Sequence, residues 1–142
     1  GPIYTRSRFL PASKFVDAHV SRSIVSEGCL VFGSTVDHCV VGIRSRIQHG
    51  SVLRDSVMLG ADYYEEDSVR ATNAQKGAVD IGVGPDCVIE RAIIDKNARI
   101  GAGCVVRGVE GRPDRDGEGW YLRDGIVIIP KDATLPPGTI IS

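Results

Sequence analysis

The chain has 142 residues, of which 42% are hydrophobic and 25% charged, and its formal net charge is −1 at pH 7. This length suits one domain, and the near-neutral charge excludes a global attraction to nucleic acid or to anionic membranes. No apolar run reaches the length of a transmembrane helix, and no signal-peptide pattern opens the chain. Because the first residue is not Met, we expect a piece of a longer protein or a processed product.

The first segment, residues 1–19, is expected to be an interdomain linker. Pro2 and Pro11 disfavour regular structure, and Arg6 and Arg8 stand close to aromatic residues. A solvated linker is the simpler interpretation. The alternative is a basic linker that folds onto a neighbouring site.

From about residue 20 to residue 142, aliphatic residues recur at steps of five or six, often with a small residue four places later. The predicted inward anchors are Val25, Val31, Val36, Val41, Ile47, Leu53, Leu59, Val83, Ile89, Ile94, Ile100, Val106, Ile129, Leu135 and Ile141. This period suits neither a helix face nor an alternating strand, and it indicates an all-β fold, a parallel β-helix of hexapeptide repeats. Stacked coils pair their backbone groups except at the two ends, so the ends are the predicted sites of oligomer contact or capping.

Two polar segments interrupt the repeat and are predicted to be excursion loops, residues 61–80 and 107–125. The first carries four acidic residues: Asp62, Glu65, Glu66 and Asp67. A solvated acidic loop is the simpler interpretation, and a metal-binding or catalytic role is the alternative. A loop of this length inside a domain is often functional or interfacial.

The cysteines are predicted to be buried, reduced thiols that act as small apolar fillers. They are Cys29, Cys39, Cys87 and Cys104. No CxxC pair or Cys/His cluster has zinc spacing, so no metal site is expected. Reduced thiols suit a cytosol-like compartment.

Three histidines are candidate general bases by residue type alone, since acyltransferases built on hexapeptide β-helices use one: His19, His38 and His49. The sequence places none of them in a Ser/His/Asp or Cys/His arrangement. We therefore expect solvent-facing or structural histidines. Nucleic-acid binding has no support, because basic and aromatic residues do not alternate.

Two lysines occupy matching places in near-identical strings, Lys96 in RAIIDK and Lys131 in IVIIPK. Each lies two residues after its anchor, Ile94 or Ile129, and so faces outward at a corner. If the excursion of residues 107–125 returns to the side it left, the lysines stack one coil apart, at about 4.8 Å between backbones. Two solvated ammonium groups so placed repel by about 1 kcal/mol, which a bound phosphate or carboxylate would relieve. The pattern leaves two interpretations open, a local anion site and two solvated corner lysines.

Five strings, in this order and spacing, carry a family resemblance: GPIYTRSRFLPASK, VVGIRSRI, MLGADYYE, AIIDKNARIG and DGIVIIPKDA. The chain resembles, over essentially its full length, the C-terminal domain of ADP-glucose pyrophosphorylase (glucose-1-phosphate adenylyltransferase) of the plant and cyanobacterial type. The resemblance implies a left-handed β-helix that follows an N-terminal nucleotidyltransferase domain, which this sequence lacks. It also implies a tetrameric enzyme located in the cytoplasm, or in the plastid stroma of a plant.

The same resemblance implies the chemistry. The full enzyme makes ADP-glucose and pyrophosphate from ATP and glucose 1-phosphate with Mg²⁺, for glycogen or starch synthesis. ATP and Mg²⁺ would bind the absent catalytic domain, with no cofactor in this one, so we expect this chain alone to be inactive. The effectors would be 3-phosphoglycerate as activator and phosphate as inhibitor. The family's effector-binding residues match Lys96, Lys131 and Arg8 of the YT-x-x-R motif, and Arg6 adds positive charge. A hexapeptide acyltransferase and a purely structural assembly module are the competing interpretations.

Overall fold

A computed structural model describes residues 10–142, which wind into stacked coils of short strands. In this part of the chain there are nineteen strands and one helix. The strands are β1 Lys14–Val16, β2 His19–Ser21, β3 Ile24–Val25, β4 Leu30–Phe32, β5 Thr35–Asp37, β6 Val40–Val41, β7 Arg46–Ile47, β8 Val52–Arg54, β9 Val57–Met58, β10 Gly82–Val83, β11 Val88–Glu90, β12 Ala92–Ile94, β13 Arg99–Ile100, β14 Val105–Arg107, β15 Arg115–Gly117, β16 Trp120–Arg123, β17 Ile126–Ile129, β18 Thr134–Leu135 and β19 Ile140–Ile141. The helix is α1 Asp67–Lys76.

Three sheets form the faces of the coil, because each full turn contributes one strand to each sheet. Their strand orders are β1-β4-β7-β10-β13-β18, β2-β5-β8-β11-β14-β19 and β3-β6-β9-β12-β17-β16-β15. All pairings are parallel except those that β16 makes with β15 and β17. The parallel β-helix predicted from the repeat is therefore confirmed.

Most strands point at least one apolar residue inward, and these residues stack into a single core. The side chains of Ile47, Ile89 and Ile129 are fully buried. All four cysteines are also buried and unbonded, as predicted. Burial raises the pKa of the Cys87 thiol to about 11, so the group stays protonated at neutral pH.

One anchor was predicted wrongly, since the inward residue of β9 is Met58 and not Leu59. Met58 is 4% exposed and pairs in register with Val41, whereas Leu59 is 40% exposed. The step from the previous anchor, Leu53, is five residues here and not six. Because side chains alternate between faces along a strand, a register slip of one residue exchanges the inward and outward side chains.

The coil begins earlier than the boundary near residue 20. Strand β1 pairs in parallel with β4, with Lys14 opposite Leu30, so part of residues 1–19 already belongs to the first coil. Pro11 precedes this strand and does not interrupt it. Arg6 and Arg8 lie outside the described residues.

Both excursions contain regular structure where loops were expected. Helix α1 lies within residues 61–80, and it buries none of its residues. Within residues 107–125, β15 and β16 form an antiparallel hairpin that extends the sheet beyond β17. Leu122 of this hairpin is 1% exposed, so the second excursion adds to the core.

No helix among residues 10–142 is long and apolar enough to cross a membrane.

The register of β9 gives a stability prediction. We expect Met58→Ala to lower the free energy of unfolding by about 2–5 kcal/mol, because it opens a cavity in the core. Leu59→Ala is the matched control, since its side chain is 40% exposed, and we expect a loss below about 1 kcal/mol. Urea unfolding followed by circular dichroism measures both. A larger loss at Leu59 would contradict the observed register.

Candidate anion site at a lysine corner

Lys96 and Lys131 lie at equivalent corners of adjacent coils. Strand β12 pairs with β17 so that Ile94 lies opposite Ile129, and the Asp132 amide donates to the Lys96 carbonyl oxygen at 3.0 Å. The lysines therefore stack one coil apart, as predicted. Their side chains are 44% and 57% exposed, so both lysines lie at the surface.

The carboxylate of Asp62 lies between these two ammonium groups. The Lys96 Nζ is 3.4 Å from Asp62 Oδ1, and the Lys131 Nζ is 3.9 Å from Asp62 Oδ2. The negative charge of this carboxylate, which belongs to the chain itself, reduces the electrostatic repulsion between the two lysines. We name the three residues Asp62, Lys96 and Lys131 the lysine corner.

The path of the backbone explains how Asp62 reaches the lysines. Gly60 occupies, one coil earlier, the place that Lys96 takes, and its carbonyl oxygen accepts from the Asn97 amide at 3.1 Å. Gly60 has a φ of +95°, and a Cβ there would collide with the Ile43 carbonyl oxygen, so the tight exit from the coil needs glycine. Asp62 is the second residue after this exit.

Asn97 holds the Asp62 carboxylate from the side. Its Nδ2 donates to Asp62 Oδ2 at 3.0 Å, and its Oδ1 accepts from the Asp62 amide at 2.9 Å. Asn97 is 7% exposed and has a φ of 62°, a left-handed conformation that asparagine tolerates better than most residues. The hydrogen bond from Asn97, then that from Lys96, lowers the pKa of the Asp62 carboxyl, and the charge of Lys131 adds to the effect.

A second carboxylate anchors the same excursion. Glu65 is 5% exposed at its side chain, and its Oε2 accepts from Arg99 Nη1 at 3.0 Å and from Asn73 Nδ2 at 3.1 Å. Its Oε1 accepts from the Ile81 amide. The expected solvated acidic loop is therefore wrong for Glu65, whereas Asp62, Glu66 and Asp67 are exposed, Asp62 with ion pairs to Lys96 and Lys131. Within residues 10–142, no group of three or more His, Cys, Asp or Glu side chains could hold a metal ion.

The histidines lie apart from the lysine corner. His38 Nδ1 is 2.7 Å from Asp55 Oδ1, with both side chains more than half exposed. His49 stacks on Phe32 with ring centroids 5.9 Å apart, and His19 is exposed on β2. Sequence reasoning missed the contact between His38 and Asp55, which lie 17 residues apart and, unlike the two lysines, do not stand in near-identical strings.

A family model matches residues 8–140, and its description is "GLGC left-handed parallel beta-helix domain". The chain belongs to this family. Since this family has a left-handed β-helix, the handedness that the resemblance implied is confirmed. The chain is also 44% identical, over 142 residues and 99% of its length, to the "Glucose-1-phosphate adenylyltransferase small subunit, chloroplastic/amyloplastic" of Triticum aestivum. The chain spans 30% of the length of that relative.

The Glu65 anchor gives a prediction about local opening. We expect Glu65→Ala to accelerate hydrogen exchange of the Ile81 amide by about 5- to 150-fold, because this amide, Asn73 and Arg99 each lose an acceptor. Glu66→Ala is the matched control, since Glu66 is exposed next to it in the chain. Exchange measured by NMR decides the matter. Equal protection of Ile81 in the two variants would contradict the anchoring role.

Proposed function

We propose that this domain is the regulatory and assembly part of a glucose-1-phosphate adenylyltransferase. In this proposal, anionic effectors of the 3-phosphoglycerate and phosphate type bind at Lys96 and Lys131. The relative's name and the family match support the enzyme class. The observation that carries the effector site is the register of β12 with β17, which stacks the two lysines one coil apart.

The chemistry of the corner suits an oxyanion. Two ammonium groups on adjacent coils present several N–H donors to one side, and charge-assisted hydrogen bonds to phosphate are stronger than neutral ones. The contacts that Asp62 makes with both lysines support a spacing that one anionic group can span. Arg8, and Arg6 beside it, would add positive charge from the linker; both lie outside the described residues.

In the full-length enzyme, we propose that this domain acts together with a separate catalytic domain. The reaction joins ATP and glucose 1-phosphate into ADP-glucose and pyrophosphate, and ATP and Mg²⁺ bind a catalytic domain outside this sequence. The domain pairs with that catalytic domain within a homo-oligomer, a tetramer in the full-length enzyme. An effector changes the rate only if it binds more tightly to one arrangement of the two domains. The cytoplasm, or the plastid stroma of a plant, is the proposed location.

Two rival functions make different predictions. A hexapeptide acyltransferase would turn over acetyl-coenzyme A and lose that activity in a His→Ala variant. A purely structural module would keep its effector response when the charges of Lys96 and Lys131 are removed, and would lose assembly when the coil ends are changed.

Calorimetric titration tests the effector site directly. We expect 3-phosphoglycerate and phosphate to bind this domain saturably, with an affinity that falls as salt rises. In Lys96→Ala/Lys131→Ala we expect binding to weaken by at least about tenfold per lysine, because each loses a hydrogen bond to a charged group. Lys14→Ala/Lys76→Ala is the matched control, since it removes the same charge from two exposed lysines elsewhere on the chain.

The titration has a clear adverse outcome. Equal weakening of effector binding in the two double variants would mean that only the net charge of the domain matters. It would exclude a local effector site at Lys96 and Lys131. If the domain binds neither effector, the same pair of variants in the full-length enzyme is assayed for activation of ADP-glucose formation. An unchanged response there would exclude the regulatory assignment.

A further inference from the structure

The lysine corner already holds an anion, and that anion belongs to the chain. Asp62 reaches both Lys96 and Lys131 through its two carboxylate oxygens, at 3.4 and 3.9 Å. The carboxylates of Asp95 and Asp132 flank the corner, but among the described residues they form no ion pair with either lysine. Asp95 Oδ1 instead accepts from the Lys96 backbone amide at 2.7 Å.

An external phosphate and the Asp62 carboxylate compete for the same hydrogen-bond donors, the ammonium groups of Lys96 and Lys131. A phosphate that engages both ammonium groups must take the position between them, and like charges at that distance repel. The Asp62 side chain is 45% exposed, and its ion pairs are longer than a good charge-assisted hydrogen bond. Exposed ion pairs of this kind are weak, so an incoming dianion can displace the carboxylate.

We propose that Asp62 is a built-in competitor at the lysine corner, which sets how tightly an external oxyanion binds there. This inference rests on the proposed effector site at Lys96 and Lys131. When the site is free, the Asp62 carboxylate neutralises the lysines. When a phosphate group binds, the carboxylate leaves the two ammonium groups and turns towards solvent.

The surrounding contacts confine this movement to a short stretch. On one side, Ala61 is 2% exposed, and its amide donates to the Ile43 carbonyl oxygen at 2.9 Å. On the other side, the Tyr64 hydroxyl donates to the Gly28 carbonyl oxygen at 2.9 Å, and the buried Glu65 binds Arg99. The carboxylate therefore leaves by rotation of the Asp62 side chain, without detachment of helix α1.

Removal of the competing charge tests the proposal. We expect Asp62→Asn to tighten the binding of inorganic phosphate and of 3-phosphoglycerate by roughly 2- to 30-fold, the range that two exposed ion pairs supply. Asparagine keeps the size of the side chain and an oxygen for the Asn97 amide. Asp132→Asn is the matched control, because it removes a nearby exposed carboxylate that pairs with neither lysine. Calorimetry gives the affinities, and thermal unfolding confirms that each variant is folded.

The outcomes separate this inference from the function on which it rests. Tighter binding in Asp62→Asn than in Asp132→Asn supports the competitor, as does binding that appears only in Asp62→Asn. If the unmodified domain binds phosphate and Asp62→Asn binds it equally or more weakly, the competitor is overturned and the effector site stands. If neither protein binds phosphate or 3-phosphoglycerate, the competitor is overturned, and the assay of the full-length enzyme described above decides the effector site.

Discussion

The register between neighbouring coils is the constraint on which the rest of the molecule depends. Inward packing of apolar residues along the stacked strands fixes this register, since a shift of one residue would turn the core side chains outward. Once Ile94 is opposite Ile129, the corners that follow must also coincide. The proximity of Lys96 and Lys131 is therefore a consequence of core packing, and the stability of the core maintains it.

The stacked lysines carry an electrostatic cost that the domain offsets with its own carboxylate. Asp62 comes from the point where the chain leaves the coil at Gly60, and Asn97 orients it with two hydrogen bonds. In this structure the Asp62 carboxylate occupies the corner, so the oxyanion that we propose to bind there would have to displace it. Such an exchange would lower the net affinity and favour a dianionic phosphate over a monoanionic carboxylate, because the dianion is attracted more strongly by two ammonium groups.

The sequence predicted those features that repeat, and missed those that depend on a single contact. The buried anchors, the inward cysteines and the lysine pair follow from the five- or six-residue period. Met58 was missed because the step from Leu53 is five residues. The string Met58-Leu59-Gly60 resembles Val40-Val41-Gly42, so Leu59 was matched to the buried Val41. Strand β1 was missed because only one coil lies against it and its side chains are exposed.

The excursions were beyond sequence reasoning for a different reason. Helix α1 buries none of its residues, so it leaves no apolar periodicity to detect. The roles of Asp62 and Glu65 depend on partners more than thirty residues away, Asn97 and Arg99. Without knowledge of these partners, the sequence does not distinguish an ion-paired acidic residue from a solvated one in a polar segment. The motif MLGADYYE contained both residues, but its resemblance to a family indicated membership and gave no contact.

A carbon-13 NMR titration of the Asp62 carboxyl group tests most directly whether the stacked lysines hold that carboxylate. It would be recorded in the unmodified domain and in Lys96→Ala/Lys131→Ala. We expect a pKa below the ordinary value for an aspartate in the unmodified domain, and a higher pKa in the variant. Asn97 accounts for the part of the depression that remains. The same pKa in both proteins would contradict the account, because it would mean that the carboxylate does not sense the lysines.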